Sequence, residues 1–67
     1  MIKFVAMIRP NGKGKVLNVA EAETRRVVAR EMASGSVILG EYCDPRHAEK
    51  AITLGLRGWR QVEKRRA

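Results

Sequence analysis

The sequence predicts a small single α+β domain, β-β-α-β-α in order, with its helices packed on one face of an antiparallel sheet. Three observations predict it. Residues 2–9 alternate as a strand does and run into Asn11-Gly12. Residues 20–34 place apolar side chains at helical spacing and end at Ser34-Gly35. Asp44-Pro45 follows a β-rich stretch and reads as a helix start. A chain of 67 residues makes one domain, 1–67, with a marginal core.

In the first strand, Ile2, Phe4, Ala6 and Ile8 point one way, and Lys3, Val5, Met7 and Arg9 the other. Pro10-Asn11-Gly12-Lys13-Gly14 is a turn, because Asn-Gly takes the positive φ angles of a tight hairpin at low cost. Residues 15–19 pair back as the second strand. Asn18 is then a candidate helix cap, with Glu21 three residues on. On the helix over 20–34, Ala20, Thr24, Val27, Val28 and Met32 share one side, and Glu31 intrudes on it. Residues 36–43 form the third strand.

After Asp44-Pro45 two readings stand. In one, the helix runs to the C-terminus with Ala48, Ala51, Ile52, Gly55, Leu56, Trp59 and Val62 on one face. In the other, Gly55 stops the helix and residues 58–64 make a fourth strand. Residues 63–67 are expected to fray as a basic tail. Two interior glycines would cost a long helix about 2 kcal/mol, and the balance tips to the strand. The expected core is Ile2, Phe4, Ile8, Leu17, Val19, Val27, Val28, Val37, Leu39, Ile52 and Trp59.

Fourteen bases against seven acids give a net charge of +7. Residues 1–20 hold four bases and no acid, residues 21–44 a net −2, and residues 45–67 a net +5. Such a chain is drawn to polyanions. A single cysteine, Cys43, makes no internal disulfide, which points to a reducing, cytoplasmic setting. No apolar run is long enough to span a bilayer, and the Ala- and Gly-rich face of the second helix is poor for membrane insertion.

Catalytic motifs are weak, and an enzyme is not expected. Cys43 and His47 stand four apart at a helix start, but zinc needs further ligands and no second pair exists. Asn11-Gly12-Lys13-Gly14-Lys15 lacks the spacing of a P-loop and precedes a strand. Arg25, Arg26 and Arg30 alternate with Glu21, Glu23 and Glu31 as a salt-laced solvated face. No cofactor or metal is expected.

The informative cluster is Arg57, Arg60, Lys64, Arg65 and Arg66, opposed only by Glu63. With Lys13 and Lys15 at the hairpin tip, these residues are the candidate contacts to a phosphate backbone, DNA or RNA. Trp59 among them is expected to be a buried anchor. The expected function is therefore that of a small accessory protein binding nucleic acid. The alternative is a phage- or plasmid-type inhibitor or regulator docking by the same residues on an acidic protein surface. A homodimer through a free sheet edge is a further expectation.

Overall fold

The computed structural model describes the backbone of residues 1–66 and the side chains of residues 1–58. Strands β1 (Ile2–Ile8), β2 (Gly14–Ala20) and β3 (Val37–Tyr42) form one antiparallel sheet in the order β2-β1-β3. A short 3-10 turn over Glu21–Glu23 leads into helix α1 (Thr24–Ala33), and helix α2 spans Pro45–Arg66. The class and the element order are those expected from the sequence.

The hairpin forms where Asn11-Gly12 places it, through a different turn. Gly12 N–H donates to the Arg9 carbonyl at 2.8 Å, and Arg9 N–H donates to the Lys13 carbonyl at 2.9 Å. Pro10 and Asn11 thus occupy the centre of the turn, and only Gly12, at φ 83°, takes the left-handed conformation. This is a three-residue loop with a glycine bulge rather than a two-residue turn. Asn11 Oδ1 accepts from Lys13 N–H at 2.9 Å, which fixes the tip.

The central strand explains the layering. Val5, Ala6, Met7 and Ile8 are consecutive and all buried. Alternate strand residues point to opposite faces, so both faces of β1 are covered. Val5 and Met7 pack with Val19, Leu17 and Ile38 and with Val27 and Val28 of α1. On the other face Ile8 and Leu39 lie against Gly55 of α2, and Ile52 of α2 lies against Gly14. The helices therefore flank the sheet instead of sharing one face, which corrects the expected packing. The alternation showed Ile2, Phe4, Ala6 and Ile8 as the apolar set, but Val5 and Met7 are equally apolar and need their own cover. Ile2 and Val37, expected in the core, are about half exposed, and Ala48 of α2 is fully buried.

Two helix boundaries also differ from expectation. Strand β2 runs through Asn18 to Ala20, so Asn18 caps nothing, and the Thr24 hydroxyl instead donates to the Ala20 carbonyl at 3.2 Å. The long-helix reading holds at the other end. α2 continues through 58–64, and no fourth strand exists among the described residues. Gly55 does not stop the helix; it lets the helix approach the sheet, since a Cβ there would press on Leu39 and Ile8. Helix α1 ends as expected at Gly35, φ 94°, where Gly35 N–H donates to the Met32 carbonyl and Ser36 N–H to that of Glu31, both at 3.0 Å.

Candidate nucleic-acid interface

Asp44 starts α2 as the sequence predicts. Its Oδ1 accepts from the Arg46 backbone N–H at 2.8 Å, while the Arg46 guanidinium meets its Oδ2 at 2.9 Å. The Arg46 side-chain hydrogen bond, then the backbone one, hold the Asp44 carboxyl down at about 2. The same pairing raises the Arg46 guanidinium. This contact fixes where α2 begins, at the end of the sheet remote from the hairpin turn.

From there α2 runs back toward the turn. Ile52 meets Gly14, the first residue of β2, and Gly55 meets Ile8, the last residue of β1. By residue 55 the helix has reached the turn end of the sheet. Gly58 has no neighbour where a Cβ would stand. The remaining residues, 56–66, carry the helix about 16 Å further at 1.5 Å per residue. The molecule is correspondingly long, 43 × 25 × 13 Å.

The candidate residues distribute accordingly. Lys13 and Lys15 are exposed at the hairpin tip and the start of β2. Arg57 is exposed on α2, just past the Gly55 contact. Arg60, Lys64, Arg65 and Arg66 occupy the last turns of α2, and their side chains lie outside the described residues, as does that of Trp59. The two basic segments thus lie toward the same end of the molecule. They do not meet on one face of the sheet. Lys15 pairs in register with Met7, on the side covered by α1, whereas α2 lies on the other side.

Arg30 belongs to the same end and was hidden in the sequence by its acidic neighbours. The end of α1 abuts the turn, because Gly35 lies against Pro10 and Glu31 pairs with Arg9 at 3.9 Å. Glu31, the acid that intrudes on the apolar side of α1, is thereby matched by Arg9, and the Ser36 hydroxyl donates to its Oε2 at 3.5 Å. The Glu23–Arg26 pair forms at 3.6 Å. Arg30 is exposed and makes no ion pair among the described residues.

The remaining chemistry is sparse. Cys43 is exposed and accepts from Lys3 Nζ at 3.9 Å; its thiol makes no bond with His47 among the described residues. Among the described residues no three His, Cys, Asp or Glu side chains gather as metal ligands. An open cleft of about 310 Å³ between α1 and β3 is lined by Glu21, Thr24, Arg25, Val28 and Glu41. No helix among the described residues is long and apolar enough to cross a membrane. Compared with family models, curated proteins and solved structures, the chain matches none.

Proposed function

We propose that this protein is a non-enzymatic accessory protein that binds nucleic acid by its phosphate backbone. The observation that supports the reading is that α2 runs toward the hairpin end of the sheet, so the tip with Lys13 and Lys15 and the part of α2 that carries Arg57, Arg60, Lys64, Arg65 and Arg66 lie toward the same end. Charges gathered at one end engage adjacent phosphates together and release their counterions together. The same charges scattered over the surface would only raise solubility.

The test is a fluorescence-anisotropy titration of a labelled oligonucleotide over a range of salt concentrations. With about five phosphates engaged, log K falls against log salt with a slope of about −4 to −5. Replacing Lys64, Arg65 and Arg66 by Ala should reduce the slope to about −2 with unchanged thermal stability. Absence of binding to every oligonucleotide at low salt refutes the reading. A nuclease-resistant complex with an acidic protein in that case favours docking on a protein surface instead.

A further inference from the structure

We infer that the ligand is B-form double-stranded DNA, with the projecting end of α2 seated in the major groove and the hairpin tip on the flanking backbone. The inference rests on the nucleic-acid reading above and concerns which form of nucleic acid the end of the molecule fits.

Three features lead to it. First, the sheet is closed on both faces. Proteins that hold single strands on a sheet offer an open face with aromatic stacking platforms. Here α1 covers Val5 and Met7, α2 covers Ile8 and Leu39, and Phe4 and Tyr42 are half-buried. Second, what the molecule projects is a single α-helix. With side chains a helix is about 10–12 Å across, which matches the roughly 12 Å major groove of B-DNA. The major groove of A-form RNA is too narrow to admit one.

Third, the charge is arranged for a groove with two walls. Residues 57–66 carry five bases and one acid. At 100° per residue, positions 57, 60 and 64 fall on one side of the helix and positions 65 and 66 on others, so the span is not a one-sided stripe. The hairpin tip lies beside the root of this span, through the Gly14–Ile52 and Ile8–Gly55 contacts. Lys13 and Lys15 are thus offset sideways from the helix axis, where a backbone bordering the groove would run. A second copy of the chain is a poor occupant, because the two projecting ends would repel each other.

The experiment compares a DNA duplex, an RNA duplex of the same sequence and the two single strands, at one salt concentration, with the full chain. DNA duplex binding about tenfold or more tighter than the others is expected. Methyl green, which occupies the major groove, should compete, and netropsin, which occupies the minor groove, should not. Equal or tighter binding of the RNA duplex or of a single strand overturns the inference and leaves phosphate-backbone binding standing; no binding to any of them removes both. Gly58→Pro provides the second arm, since it breaks the helix close behind the Gly55 contact with the sheet and keeps every charge. Its preference for DNA duplex should disappear while Gly58→Ala retains it. A Gly58→Pro protein, folded by its urea transition, with undiminished duplex preference also overturns the inference.

Discussion

At the scale of single residues, the contact between Gly14 and Ile52 sets how closely α2 lies on the sheet. A Cβ on Gly14 would overlap the Ile52 side chain, so even alanine forces the helix away. Gly14→Ala should therefore cost about 1–3 kcal/mol, the usual range for overpacking, seen as a lower urea midpoint. In the sequence Gly14 looks like part of a turn, and its partner lies far along the chain, so no local pattern could reveal this role. Asp44 is the opposite case. Its pairing with Pro45 marks the helix start, and the structure supplies the cap the sequence expects. Its carboxyl is lowered from 3.8 to about 2. A depressed folded-state pKa means that the native state holds the proton more weakly than the unfolded chain. The cap's contribution is therefore fully present above pH 4 or so and is lost as pH falls toward about 2. An NMR titration of the Asp44 side-chain carboxyl should give a midpoint well below that of an unfolded-chain aspartate. A midpoint near 4 would mean that the Arg46 contacts do not persist in solution.

At the scale of elements, α2 shows how a glycine misleads. Gly55 and Gly58 look alike in sequence, and together they tilted the reading toward a broken helix and a fourth strand. Gly55 is there because Leu39 and Ile8 press on the helix, and packing against the sheet offsets its poor propensity. Gly58 has no such neighbour. Gly58→Ala should accordingly stabilise α2 by about 0.5–1 kcal/mol, raising helical circular dichroism and the thermal midpoint together. Gly55→Ala should raise that midpoint less than Gly58→Ala does, because the propensity gained is opposed by crowding against Leu39 and Ile8. Where propensity and position agreed, the elements were legible: the extent of β1 and its turn, the left-handed glycines at 12 and 35, and the end of α1. Where tertiary contact decides, they were not. Strand β2 extends to Ala20 because Ile2 and Ala20 pair and Glu21 N–H donates to the Met1 carbonyl at 2.9 Å, and no cap residue at Asn18 outweighs that ladder.

At the scale of the whole molecule, the three-layer arrangement makes β1 the core. A central strand covered on both faces reads as a nearly continuous apolar run rather than an alternating one, and Ile2-Lys3-Phe4-Val5-Ala6-Met7-Ile8 is close to one. From this strand the expected core took only Ile2, Phe4 and Ile8, the side opposite Val5 and Met7. The basic segments were legible as charge but not as place, because only the direction of α2 across the sheet decides which end its C-terminal residues reach. The layering itself is testable by two truncations on the same strand. Met7 is fully buried among Val5, Val19 and the α1 valines, whereas Ile2 is 52% exposed at the end of the sheet away from the turn. Helices sharing one face would leave Met7 in water and make Ile2 a core residue. Helices on both faces reverse that order. Met7→Ala should cost about 2–5 kcal/mol, enough to unfold much of so small a domain, and Ile2→Ala about 1 kcal/mol or less. Chemical denaturation of the two variants side by side decides between the arrangements, and equal losses, or a larger loss at Ile2, would contradict the fold described here.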